Sequence, residues 1–166
     1  MKLRKFIATT IREYLNEQQE VENNFNDAFL KWFGSSKVKD NDGTPKIVYR
    51  TQKKQYPHGT FKESKYVFGI YFSEDEKSTK IYGDVTESFY LSLQNPKILR
   101  GIEYDEMWIY SIITKDKYQK LMDDGYDGAI WLKNGIMYEI VVFDKDKIKS
   151  TNNDGTWDIG DNNIYS

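Results

Sequence analysis

The stretch Ile136–Phe143 reads Ile-Met-Tyr-Glu-Ile-Val-Val-Phe, so every residue but Glu139 is apolar or aromatic. A bounded run of this kind reads as a strand from the middle of a core. Burying an unpaired carboxylate is costly, so Glu139 needs a partner or a function. Immediately before it, Asn134-Gly135 is a strong hairpin signal, because both residue types tolerate the positive φ angles of a two-residue turn. The turn joins Asp127–Leu132 to this strand. The sequence thus describes a buried hairpin with one acidic side chain on its second arm, and the remaining residues must supply what faces it.

A chain of 166 residues with 16% aromatics is long and apolar enough for one domain with a real core. The net charge of -2 and pI near 5.5 give no support for the basic face of a nucleic-acid groove. No apolar run reaches the length of a membrane span. Met1-Lys-Leu-Arg-Lys5 starts basic, but no apolar signal region follows it, so no secretory leader is expected. The absence of cysteine removes disulfides, thiol nucleophiles and cysteine–zinc sites, and fits a cytoplasmic location. His58 is the only histidine, which excludes a two-histidine metal site within the chain. No metal is expected.

Leu3, Phe6, Ile7, Ile11, Tyr14 and Leu15 recur at helical spacing, which predicts an amphipathic helix over 3–20. A boundary at residue 23 divides this N-terminal helix (1–23) from the domain proper (24–166). A second helix is expected over Asn24–Phe33, ended by Gly34. Ile47-Val48-Tyr49 is a short strand delivering Arg50, 52–65 a polar loop, and Val67–Phe72 the next strand. Ser73 with Glu76 forms a capping-box pattern, so a helix should run to about Tyr82 and stop at Gly83. Ser88–Leu93 alternates as a strand that Asn95-Pro96 closes. The pattern over 98–113 allows a short strand and a helix. Thr114–Asp124 is helical, and 144–166 is expected to wrap the surface with Ile148, Trp157 and Ile159 as anchors. Helices first and short strands afterwards, without long crossover helices, indicate an α+β fold with mostly antiparallel strands.

Three strand positions carry unusual residues: Arg50, Tyr71 and Glu139. A guanidinium pairs with phosphate, an aromatic ring stacks on a flat ring, and a carboxylate stabilises positive charge developing at a sugar carbon. A cationic, aromatic, phosphate-bearing ligand such as nicotinamide adenine dinucleotide (NAD) fits that set. Ser73 is also accounted for as a helix cap. His58-Gly59-Thr60 competes with Arg50 if the first strand is displaced, although it lies in a polar loop. The pairs Asp123-Asp124 and Asp144/Asp146 lack the spacing of a calcium loop.

Several sequence words carry a resemblance. They are Phe29–Val38, Ile47–Thr51, Gly69–Ser73, Phe89–Pro96, Gly125–Gly128, Tyr138–Asp144, Ile148–Ser150 and Asn153–Trp157. In this order, over roughly 25–165, the chain resembles the ADP-ribosyltransferase domains of phage and mobile-element polyvalent proteins. The resemblance implies a split antiparallel β-sandwich with N-terminal helices and a cleft for NAD. It implies that Arg50 holds the adenylate ribose or phosphate and that Tyr71 packs on nicotinamide. Glu139 would hydrogen-bond the nicotinamide ribose and support an oxocarbenium-like transition state. Arg50, Thr51, Tyr71, Ser73 and Tyr82 are the implied NAD-binding set, with Arg50, Tyr71 and Glu139 catalytic. The chain mixes two branches, since Arg in the first motif usually goes with Ser in the second, and Tyr in the second with His in the first. Tyr71 and Tyr82 are spaced like the paired tyrosines that sandwich nicotinamide in the diphtheria-toxin-like branch.

The implied activity is NAD-dependent mono-ADP-ribosyl transfer, phage or prophage encoded, to a host or defence-system macromolecule in the host cytoplasm. The acidic pI favours a protein acceptor, while nucleic-acid acceptors also occur in the superfamily. The alternatives are an NAD glycohydrolase using the same residues and a degenerate fold kept as a binding module.

Overall fold

The computed structural model describes residues 7, 10, 11, 25–56, 60–61, 68–100 and 115–166. Helix α1 is Asp27–Phe33, capped by Asn26, whose side chain accepts from the Phe29 N–H. The strands are β1 (Val48–Gln52), β2 (Ile70–Phe72), β3 (Val85–Leu91), β4 (Pro96–Arg100), β5 (Gly128–Lys133), β6 (Ile136–Val142) and β7 (Ile148–Ser150). A short helix α2 (Glu76–Thr79) runs into a 3₁₀ turn at Lys80–Tyr82, and helix α3 is Lys115–Asp123. Ile7, Thr10 and Ile11 are helical, with Ile7 and Ile11 exposed. The remainder of the helix expected over 3–20, the boundary at 23, and His58 lie outside the described residues.

The strands form two sheets, one ordered β1-β3-β7 and the other β2-β6-β5-β4. Every pairing is antiparallel except β4 with β5, which is parallel. The α+β class and the split sandwich are as expected. The one parallel pair involves β4, Pro96–Arg100, which covers the start of the 98–113 stretch that allows a short strand and begins two residues earlier, at the Pro96 expected to close the preceding strand; α3 lies on its return to β5.

Alternation along each strand sorts the residues into three layers. Val48, Phe72, Phe89, Leu91, Ile130, Ile140, Val142 and Ile148 meet between the sheets with Val38, Leu93 and Ile164. Leu99, Ala129 and Val141 point the other way and are covered by Leu121 of α3. On the outer face of the three-stranded sheet, Phe29, Trp32 and Phe33 of α1 pack with Tyr90 and Trp157. Strands buried on both faces carry continuous apolar runs, which is why Ile140-Val141-Val142 has no alternation to read.

The buried-strand reading of 136–143 holds only for that C-terminal half. Ile136 and Tyr138 are exposed and Glu139 is half-buried, because the hairpin projects beyond the neighbouring strand β2. The Asn134-Gly135 turn has positive φ at both residues (53° and 82°), as its sequence required.

The tail differs from expectation in two ways. Residues 148–150 form β7, and the buried anchor is Ile164, while Ile159 is 61% exposed. Lys149 is fully buried on the α1 side of β7, paired across from Tyr90. Its ammonium donates to the carbonyls of Asp161 (3.1 Å) and Asn163 (2.8 Å), which clasps residues 161–163 to the sheet. Burial lowers the Lys149 pKa, and Asp161, Asp158, Asp146 and Asp154 oppose that shift.

Gly128 allows a close approach of β5 to β6. A Cβ there would lie 2.5 Å from the Val141 carbonyl oxygen and 3.0 Å from the Leu93 methyls. Gly128→Ala is expected to lower stability by about 1–3 kcal/mol, the usual range for overpacking a core. The shift of the denaturant midpoint, at unchanged slope, measures it.

Candidate active site

The two sheets join at one backbone pair. Tyr49 N–H donates to the Ser73 carbonyl (2.7 Å) and Ser73 N–H to the Tyr49 carbonyl (3.0 Å). The edge of β1 is thereby stitched to the chain just beyond β2. Arg50, Thr51, Tyr71 and Ser73, four of the sequence-predicted residues, lie within two residues of this seam.

Arg50 lies on the inter-sheet side of β1, directly across from Glu87 of β3. Its Nη1 donates to the Tyr71 carbonyl at 3.0 Å, a second link between the sheets. Its guanidinium carbon stands 5.7 Å from the Phe61 ring centroid. Burial lowers the Arg50 pKa, and the negative charge of Glu87 counteracts it. Glu87 in turn accepts from Tyr165 Oη (3.2 Å) and Gln52 Nε2 (3.4 Å). Glu87, Gln52, Tyr165 and Phe61 were not singled out from the sequence. Glu87 was legible in principle, since Glu87, Phe89 and Leu91 share a face.

Thr51 points to the opposite side of β1. Its Oγ1 lies 2.7 Å from Thr79 Oγ1 and 2.8 Å from Thr86 Oγ1. Thr79 donates to the Glu76 carbonyl. Each hydroxyl has one proton, so Thr86 donates to Thr51 and Thr51 to Thr79. This chain fixes the end of α2 against β1 and so positions the 3₁₀ turn that carries Tyr82.

Ser73 is buried, and its Oγ accepts from the Asp75 N–H (3.1 Å) and the Ser78 hydroxyl (3.3 Å). The N-cap of α2 is Asp75, which accepts from the Lys77 N–H, so the capping box does not form with Ser73 as its cap. Ser73 instead stabilises the turn just before the helix. Tyr71 is half-buried, faces the outer cluster beneath α3, and pairs with Val141.

Tyr82 is 65% exposed at the end of the 3₁₀ turn, and the backbone after Gly83 is held by Asp84 N–H to the Gln52 carbonyl (3.0 Å). Its pKa is raised, first by partial burial and then by the charges of Glu139 and Tyr138. Tyr82, Glu139 and Tyr138 therefore share one locale. Glu139 is opposite Trp131, with a register shift just after it, so its side chain lies on the face of the sheet away from the inter-sheet core. Glu74 steadies the start of β6: its N–H donates to the Met137 carbonyl (3.1 Å), and its carboxylate accepts the Met137 N–H (2.9 Å). Lys46 bridges that carboxylate (3.2 Å) and Asp40 (2.5 Å).

The structure thus forms two groups around the seam. Arg50, Glu87 and Gln52 lie on the inter-sheet side. Glu139, Tyr82 and Tyr138, with the threonine chain behind α2, lie on the other. Among the described residues no cluster of three acidic or histidine side chains is arranged to hold a metal ion.

Two small, mostly antiparallel sheets joined at one corner, with helices on their outer faces, make the fold that of an ADP-ribosyltransferase-like domain. The family described as ADP-ribosyltransferase in polyvalent proteins matches residues 40–157, well over half of the chain, and the chain belongs to it. No curated protein matches the sequence. Helix α1 and the anchor Ile164 lie outside the matched segment, yet both complete its packing.

Removing the Glu74 side chain would leave the Met137 N–H and the Lys46 ammonium without it. Glu74→Ala is expected to cost about 1–3 kcal/mol, the penalty for stranding a part-buried donor. Glu74→Gln, which keeps an acceptor, should lose less. Paired thermal melts of the two variants give the comparison.

Proposed function

We propose that the chain is an NAD-dependent mono-ADP-ribosyltransferase that modifies a protein of a host cell or its defence system. Its origin would be a phage or prophage, and its place of action the host cytoplasm. Membership of an ADP-ribosyltransferase family supports the activity class, and that family uses NAD as substrate. What supports the site is that the charge of Glu139 is near enough to raise the Tyr82 pKa, while Arg50 ties β1 to the Tyr71 carbonyl of β2. No helix among the described residues is long and apolar enough to cross a membrane.

In this reading NAD spans the seam. Arg50 holds the adenylate half. The exposed Tyr82 ring stacks on nicotinamide, and the half-buried Tyr71 supports that half of the site from β2. Thr51 and Ser73 act through what they hold in place, Thr51 by the hydroxyl chain to α2 and Ser73 by the turn before it. Glu139 accepts a hydrogen bond from the nicotinamide ribose and stabilises the positive charge that develops at the anomeric carbon as the glycosidic bond breaks. Nicotinamide leaves with the bonding electrons, and an acceptor nucleophile takes its place at that carbon. Half-burial of Glu139 strengthens this electrostatic effect, because a carboxylate acts further where water does not screen it.

Incubating the protein with NAD and host lysate should yield an ADP-ribose adduct detectable by mass spectrometry. Glu139→Gln is expected to lower transfer by roughly 10²–10³-fold, as for the loss of one transition-state stabiliser, while NAD still binds. Free ADP-ribose without any adduct would instead make the protein a glycohydrolase. If wild type neither binds NAD nor releases nicotinamide, the enzyme proposal fails.

A further inference from the structure

We infer that Trp131 and Tyr138 form a corner that receives an arginine side chain of the acceptor protein beside Glu139, and that Lys133 fills this corner in the free chain. This rests on the reading of Glu139 as the point of transfer, and it names a feature that the acceptor must present there.

Trp131 is the cross-strand partner of Glu139, and Tyr138 is the residue before Glu139 in the chain. Directly opposed residues have Cβ atoms about 4.5–5.5 Å apart, so a group resting on the Trp131 ring is close to the carboxylate. The rings of Trp131 and Tyr138 meet at 80° with centroids 4.9 Å apart, which makes them adjoining walls. The Lys133 ammonium sits between them, 5.5 Å from the Trp131 centroid and 4.9 Å from that of Tyr138. Trp131 packs against the cluster of Leu99, Leu121, Ala129 and Val141, which holds that wall in place. Tyr138 and Lys133 are exposed, so the corner opens to solvent near the Asn134-Gly135 turn.

Aromatic faces attract a cation through their negative charge density. Two faces converging on one ammonium mark a place for positive charge, and Lys133 shows the kind of side chain it takes. The hold on Lys133 is slight, because an exposed cation–π contact is weak and a lysine ammonium is strongly hydrated. A guanidinium is planar, more weakly hydrated and stacks on aromatic faces, so it suits the same walls better. When an arginine enters, Lys133 swings into water and regains its hydration. One cation replaces another, and the charge at the corner is unchanged. A neutral or acidic side chain would displace a cation without supplying one. An arginine seated here sets the neighbouring residues of its segment beside Glu139.

NMR titration of the Trp131 indole N–H with arginine amide, and with its neutral counterpart citrulline amide, tests the site, alongside nicotinamide release from NAD. Wild type should bind arginine amide about tenfold more tightly than citrulline amide, the scale of two exposed cation–π contacts. Lys133→Ser removes the resident cation and should tighten arginine amide by about two- to fivefold, the scale of one such contact. Tyr138→Leu keeps an apolar side chain but removes one wall, and should weaken arginine amide by about the same factor. Melting temperatures of both variants confirm that they are folded. Equal affinity for the two amides, binding of neither, or no tightening in Lys133→Ser overturns the site. Arginine preference without nicotinamide release would leave the corner standing and refute the enzyme. Nicotinamide release without arginine preference would do the reverse.

Discussion

The two hydrogen bonds between Tyr49 and Ser73 hold the rest of the molecule in register. Backbone groups must be paired when they leave water, and at this point β1 and the end of β2 satisfy each other across two otherwise separate sheets. The pairing fixes which side of each sheet faces the other. Arg50, one residue on from Tyr49, must then point between the sheets, while Thr51 points away from them. Ser73, one residue beyond Phe72, must lie on the face that Glu139 shares. The bond from Arg50 to the Tyr71 carbonyl adds a side-chain tie parallel to the backbone one. Arg50 is thereby set on the inter-sheet side and Glu139 on the outer face of the second sheet.

Burial on both faces explains the apolar strands, and it also explains which elements the sequence concealed. Asn134-Gly135, the helix of Phe29, Trp32 and Phe33, and the α3 segment were legible because turn chemistry and helical periodicity are local signals. The parallel pairing of β4 with β5 was not, because strand order depends on contacts far apart in the chain. Strand β7 was hidden for another reason. Its central residue is Lys149, and nothing in Ile-Lys-Ser announces that the lysine is buried beneath the carbonyls of Asp161 and Asn163.

The same logic separates the site residues that could be seen from those that could not. Arg50 ended a clear apolar strand, and Glu139 interrupted one. Glu87 also occupies an inward position, in line with Phe89 and Leu91. A charge at an inward position breaks the alternation that defines a strand from sequence, so β3 was expected to begin at Ser88, when it begins at Val85. A charged residue on the inward face thus erased the edge of the element that carries it. Tyr165 had no local signal, since its link to Glu87 spans 78 positions.

Glu139 shows how a carboxylate is kept on such a strand without the penalty of full burial. Met137 and Ile140 both pack toward the inter-sheet core, although three steps separate them. A regular strand would send them to opposite faces. The register shift after Trp131 places Tyr138 as the extra residue and restores Met137 to the core. Glu74 holds that irregular stretch by both polar groups of Met137, and Lys46 and Asp40 hold Glu74. On one side of Glu139 the strand is locked by the fully buried Ile140-Val141-Val142; on the other only Met137 reaches the core, while Tyr138 and Ile136 are exposed. The carboxylate therefore stands at the boundary between a rigid buried half-strand and an open one. There it is fixed in direction by the first and partly open to solvent through the second.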